Sequence, residues 1–321
     1  MKSKIAMVGV MSNPVQRLTS HNGGWTLVVK SILENSYDCE IDILTEKDDW
    51  NEYETLIIHE GINYKFRSYN FFGGVSQQVF DRLEKFSKFV GDVYSIDNID
   101  YNHMVKSRKE LNDLSTNNYR TPEVIEINKM SENLILGDSH SVSVFKPGYC
   151  ISRNDGKTLN GFLKNGIKSY LSDYTKKLIF YAGNIDIRFH THRFGGSHSL
   201  YTMSAELEKQ LKELNLEEIS IVAVLPIENE SRKIPGTGKY KGQNFYGSWI
   251  QRMHYVVWLN DLLESMCIRN NWNFLKWPFD YNTELSFDDM EARQSVHLRP
   301  TSYMFANQFI KQEKENELTL F

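Results

Sequence analysis

Short apolar runs recur along this chain and alternate with stretches whose apolar residues fall at helical spacing. Ile5–Val10, Ile41–Leu44, Leu56–His59 and Val93–Ile96 are the runs of the first third. Between them, Trp25–Leu33 and Gln77–Phe89 read as helices, with Val79, Leu83, Phe86 and Phe89 of the second on one face. Strands that alternate with helices in this way build a parallel sheet covered by helices. Leu134–Leu136, Leu178–Ala182, Ile219–Leu225 and Asn273–Trp277 repeat the pattern, with Ser197–Leu214, Tyr246–Ile268 and Ser302–Ile310 as helices. Ser12–Gly24 and residues 226–243 read as polar loops. A length of 321 residues suggests two domains of ordinary size. Asn117–Pro122 has turn composition, so we expect an α/β fold of two Rossmann- or flavodoxin-like domains, residues 1–122 and 123–321. Val124–Ile127 reads as a connecting strand.

Apolar residues make up 40% of the chain and aromatics 13%, enough for two cores and against disorder. The net charge of −4 gives no overall electrostatic footprint for nucleic acid, although a nucleic-acid partner is not excluded by it. Cys39, Cys150 and Cys267 are far apart and form no Cys-x-x-Cys, which argues against zinc ribbons and redox motifs. They read as small buried thiols in a reducing compartment. The N-terminus enters a strand without an apolar leader, and no stretch approaches the roughly 20 apolar residues of a membrane span. The expectation is a cytoplasmic protein with no membrane partner. Its oligomeric state is not legible.

The segment richest in chemistry is Asn133–His140. Leu134, Ile135 and Leu136 form a buried strand, Gly137 ends it, and Asp138-Ser139-His140 follow in a tight turn. A serine there has its hydroxyl aimed out of the sheet, where open α/β folds bind ligands. Leu178–His190 reads as a second buried strand ending in polar groups, and Gln294–Leu298 brings in a late histidine. A serine, an amide-bearing loop and a distant histidine are the parts of a nucleophilic acyl-transfer site.

Gly137-Asp138-Ser139-His140, Gly183-Asn184-Ile185-Asp186 and Ser295-Val296-His297-Leu298 resemble the first, third and last sequence blocks of the SGNH/GDSL hydrolases, over residues 130–310. Asp155–Gly161 resembles the second. The resemblance implies an SGNH-hydrolase-like second domain with Ser139 as nucleophile and His297 as general base. It also implies Ser139, Gly156 and Asn184 as oxyanion donors. Two departures stand out. The position three before His297 is Gln294, where the family carries Asp; Gln294 can orient the imidazole but offers it no negative charge. Asp288, Asp289, Glu291 or a Ser–His dyad are the alternatives. Asn184 also stands one residue earlier than the family's asparagine.

Asp138, His140, Asp186, Arg188 and His190 flank these blocks and are candidate substrate contacts. For Asp138 the other reading is a turn residue that accepts backbone N–H bonds, and for His140 a solvent-facing helix start. His190-x-His192 lacks an obvious carboxylate or thiol neighbour, so it fits a site rim better than a metal centre. We expect neither metal nor cofactor. Phe245, Tyr246, Trp249, Tyr255 and Trp258 fall near helical spacing and read as core packing before sugar stacking. A second resemblance, over residues 1–125, is to glycosyltransferases of two Rossmann-like domains. It is carried by His21–Thr26 and by Asn70–Gly74, the latter similar to a loop of bacteriophage DNA glucosyltransferases. Gly23-Gly24 also fits a plain tight turn.

The leading expectation is a serine-dependent acyl ester hydrolase or acyltransferase acting on a small molecule or glycan, an acylated carbohydrate above all. The alternatives are a nucleotide-sugar glycosyltransferase with DNA or a glycan as acceptor, and a non-catalytic SGNH-like binding module.

Overall fold

The computed structural model describes residues 4–8, 14–45, 48–59, 85, 88–96, 123–227, 241–278, 289–290 and 295–310. The chain divides into two compact units. The first takes in Met1–Leu18 and Asn22–Ile127, the second Thr19–His21 and Asn128–Gln312.

Five parallel strands form the sheet of the first unit: β1 (Ile5–Val8), β2 (Ile41–Leu44), β3 (Thr55–Ile58), β4 (Asp92–Ser95) and β5 (Glu123–Val124). Their order is β2-β1-β3-β4-β5, the flavodoxin-like arrangement. Met7, Val8, Leu56 and Ile58 are buried, as expected of strands covered on both faces. The chain boundary falls later than 122, because Glu123–Val124 pair with β4 as an edge strand of this sheet.

From Pro14 onward, most of the polar loop expected over Ser12–Gly24 is instead helical. Helix α1 spans Pro14–Thr19, and α2 spans His21–Tyr37. Pro14 occupies the first helical position, where its fixed φ and missing N–H cost nothing. Gly23 and Gly24 lie in the first turn of α2 and are buried, as is every residue through Val29. Packing of that turn outweighs the weak helix propensity of two glycines. Asn70–Gly74 and most of Gln77–Phe89 lie outside the described residues.

The second unit carries its own parallel sheet of β6 (Asn133–Gly137), β7 (Cys150–Arg153), β8 (Lys177–Tyr181), β9 (Glu218–Val222) and β10 (Asn273–Leu275). The order is β10-β9-β8-β6-β7, again the flavodoxin-like arrangement when counted from β6. Helices α3 (Leu159–Asn165), α4 (Asn184–Phe189), α5 (Ser197–Lys212) and α6 (Trp249–Asn270) join the strands. One core cluster unites Leu134, Leu136, Leu178, Phe180 and Ile221 of the sheet with Phe162, Leu207, Leu211, Val256, Leu259 and Leu263 of α3, α5 and α6. Each such side chain, fully buried, contributes roughly 1.5–3 kcal/mol.

Helix α6 starts later than the apolar spacing suggests, because Ser248 and Gln251 form a reciprocal capping box. Asn271, in the left-handed region at φ 55°, ends it. Asn260 of α6 accepts from Val224 N and donates to Val224 O, at 2.7 and 3.1 Å, tying the helix to the chain after β9. Instead of one helix over Ser302–Ile310 there are two 3-10 turns, Pro300–Ser302 and Ala306–Gln308. The edge strand β7 is a further element, beyond the apolar runs of the sequence.

Cys150 and Cys267 are buried, and burial pushes their thiols up to about 11 and about 12, so both stay protonated at neutral pH. Among the described residues no helix is long and apolar enough to cross a membrane.

Candidate active site

Strand β6 delivers the serine. Its last residue, Gly137, lies between Arg153 of β7 and Tyr181 of β8. A Cβ at Gly137 would stand 2.4 Å from the Tyr181 carbonyl oxygen, so only glycine admits this close approach. The next residue, Asp138, accepts the His140 N–H at 2.8 Å and caps a 3-10 helix over Ser139–Val144. Ser139 is therefore the first helical residue at the carboxyl end of β6. That is the topological switch point of a flavodoxin-like sheet, where ligands bind.

His297 meets it from a segment 158 residues away, with Nε2 2.9 Å from Ser139 Oγ. Both residues are half-buried, while Asp138, His140, Ser141 and Ser143 behind them are buried. The segment that bears His297 is tied down on both sides. The His297 N–H bonds Ser295 Oγ at 3.0 Å, and Leu298 forms an antiparallel bridge with Met290. The Arg299 N–H donates to Asp289 O at 2.9 Å, and Ser302 Oγ donates to Asp289 Oδ1 at 3.2 Å. Asp289 thus serves the loop. Gln294, Asp288 and Glu291 lie outside the described residues.

His140 does not face solvent and is not placed to read a substrate. It is fully buried, with Nε2 3.0 Å from the Val296 carbonyl oxygen and Nδ1 3.1 Å from Asp138 Oδ1. A carbonyl only accepts, so Nε2 carries a proton. Both His140 ring nitrogens thus face other partners, Val296 O and Asp138 Oδ1, whereas His297 Nε2 faces Ser139 Oγ. Asp138 is likewise buried and bonds inward, as a turn residue and not as a substrate contact.

A third imidazole completes the cluster. The His21 ring stacks on His297 with centroids 3.9 Å apart and planes within 10°. Burial holds its pKa well below 6.5, helped by repulsion from His297, Arg153 and His140. It is neutral at pH 7. Its Nδ1 lies 3.4 Å from Tyr303 Oη. Sequence reasoning read His21 only as part of a glycine-rich turn, and nothing in the local pattern marks it otherwise.

After β8, Asn184 and Asp186 bond to main-chain groups elsewhere in the unit. Asn184 is fully buried; its Oδ1 accepts from Tyr181 Oη and its Nδ2 donates to Leu225 O at 2.9 Å. Its amide knits β8 to the chain after β9, which corrects its reading as an oxyanion donor. Asp186 is buried and accepts the N–H groups of Leu159 and Asn160, at 2.6 and 3.2 Å, so it caps α3 from outside the helix. Burial pushes its pKa up to about 7, against those two bonds and with help from Asp138. Arg188 is also buried. His190 is half-buried, stacks on Phe194 and ends α4 with its N–H on Asp186 O at 2.8 Å. Asp186 is thus a helix cap and not a substrate contact. Gly156 is an exposed turn residue with φ 72°, in the loop that follows β7. That loop starts against β6, the Asn154 N–H donating to Gly137 O at 2.8 Å. Among the described residues no group of three or more His, Cys, Asp or Glu side chains could hold a metal.

No family model matches the chain, and no curated protein matches it. Among solved structures it is similar to a GDSL-like lipase from Bacteroides thetaiotaomicron, at 16% identity and a TM-score of 0.39, over 57% of this chain and 87% of the other. It is also similar to a carbohydrate acetylesterase from Sinorhizobium meliloti, at 14% identity and a TM-score of 0.36, over 59% of this chain and 100% of the other.

Proposed function

We propose that the second unit is an SGNH-type serine esterase or acyltransferase, with Ser139 as nucleophile and His297 as general base. The observation that carries this reading is the 2.9 Å contact between Ser139 Oγ and His297 Nε2, at the carboxyl end of β6. His297 takes the hydroxyl proton as Oγ attacks an ester carbonyl, then returns it to the leaving alcohol. The Ser139 N–H, at the start of a helical turn, and the Gly156 N–H are the proposed oxyanion donors. Neutral His21 lies face-on to the imidazolium that forms. An acylated small molecule or glycan is the proposed substrate, an acetylated carbohydrate first among them. The transferase alternative gains no site from Gly23-Gly24, which are buried in the first turn of α2.

A fluorophosphonate probe and acetyl-ester hydrolysis test the reading together. Parent protein should label and turn over, Ser139→Ala should do neither, and His297→Gln should lose about 10²–10⁴ in rate. A parent that neither labels nor hydrolyses, or equal labelling of Ser139→Ala, would favour a non-catalytic binding module.

A further inference from the structure

We propose that His140 is a positioning residue that fixes the general base relative to the nucleophile, by donating Nε2–H to the Val296 carbonyl. The proposal rests on the reading of Ser139 and His297 as nucleophile and base.

His140 is covalently next to Ser139, and Val296 is covalently next to His297. The 3.0 Å bond from the His140 ring to Val296 O therefore joins the two reacting residues by the shortest non-covalent route around their own contact. Both ends of that brace are fixed. The His140 backbone N–H and Nδ1 both converge on Asp138 Oδ1, so main chain and ring are held by one carboxylate oxygen. On the far side of His297, Leu298 is pinned to Met290, so the base hangs between two anchors. The His140 and His297 rings lie 4.9 Å apart, tilted by 48°, so His140 also limits the swing of the imidazole. An ordinary core histidine needs a partner for each ring nitrogen, but any partners will do. This one spends both nitrogens, one on the nucleophile turn and one on the base segment, across 156 residues of sequence.

Two substitutions separate the two bonds. In His140→Gln the side-chain amide N–H can replace Nε2 toward Val296 O. In His140→Asn the shorter amide replaces Nδ1 toward Asp138 and leaves Val296 O unheld. The readouts are kcat and KM for an acetyl ester, with Ser139→Ala as the blank, and hydrogen exchange at Ser295–Leu298. His140→Asn should lose about 10- to 100-fold in kcat, as a base displaced by an ångström does, with KM within about threefold. Exchange at Ser295–Leu298 should quicken. His140→Gln should restore most of kcat and the parental exchange. An active parent with both variants unchanged, or with Asn outperforming Gln, overturns the proposal. If the parent shows no Ser139-dependent turnover, the esterase reading fails. Exchange then still decides, since unchanged protection at Ser295–Leu298 in His140→Asn would show that no brace exists. Should His140→Asn fail to fold, His140→Gln alone decides: parental exchange supports the brace, and quickened exchange refutes it.

Discussion

Asp186 offers the sharpest physical test of the second unit, because a buried carboxylate there must make stability depend on pH. Its pKa rises from 3.8 to about 7, driven first by burial. The sign follows from proton counting. Between those two values the folded state holds a proton that the unfolded state has released. The added stability is therefore complete below pH 3.8 and is lost as pH rises to about 7. At about 1.4 kcal/mol per pH unit, the whole effect amounts to about 4 kcal/mol. Asp186→Asn removes the titrating group and keeps one acceptor for the Leu159 or Asn160 N–H. Losing the second acceptor costs a roughly constant 1 kcal/mol or so at every pH. The stability of the variant minus that of the parent should thus move in favour of the variant by up to about 4 kcal/mol from pH 4 to pH 8. Urea unfolding followed by tryptophan fluorescence in steps across that range measures the difference, and carboxyl-carbon NMR of Asp186 gives its midpoint directly. A difference that stays flat with pH, with an Asp186 midpoint near 4, would refute the reasoning. The two N–H donors would then hold the carboxylate ionised in spite of burial.

Asn184→Ala should cost about 1–3 kcal/mol of stability, because Leu225 O and Tyr181 Oη lose a buried partner, while the folded fraction keeps its fluorophosphonate labelling rate. A hundredfold slower rate in a stable Asn184→Ala would restore the oxyanion role. Gly137→Ala should cost about 3 kcal/mol or more in thermal melts, since the new Cβ meets the Tyr181 backbone oxygen at 2.4 Å and not a side chain that can move. Gln294→Asp should raise acetyl-ester hydrolysis by giving the His297 imidazolium a negative partner, about tenfold for each 1.4 kcal/mol gained. An unchanged rate in a folded Gln294→Asp would mean that another group already serves His297.

What the sequence disclosed, and what it hid, divides along burial and distance. The strands were legible because a parallel sheet buries both faces of its inner strands, which leaves unbroken runs such as Leu134–Leu136 and Leu178–Tyr181. Strand β7 escaped because it is an edge, with Ser152 and Arg153 half-exposed, so its run is only Cys150-Ile151. The start of α2 escaped because a glycine pair outweighs its neighbours in any local reading, whereas burial of Gly23 through Val29 sets the outcome in the fold. Ser139 was legible because a strand, a glycine and a polar turn are contiguous. The residues after β8 misled for the same reason. Asn184, Asp186 and Arg188 are as polar as a site needs and sit where a site belongs. Yet each is buried, and Asn184 and Asp186 are committed to main-chain groups far along the chain. A polar residue at a strand end is thus ambiguous by nature, because a buried carbonyl or N–H needs a partner just as a substrate does. His140 shows the converse. Its neighbour in sequence supplies one hydrogen bond, but its task is set by Val296, and no window of sequence contains both.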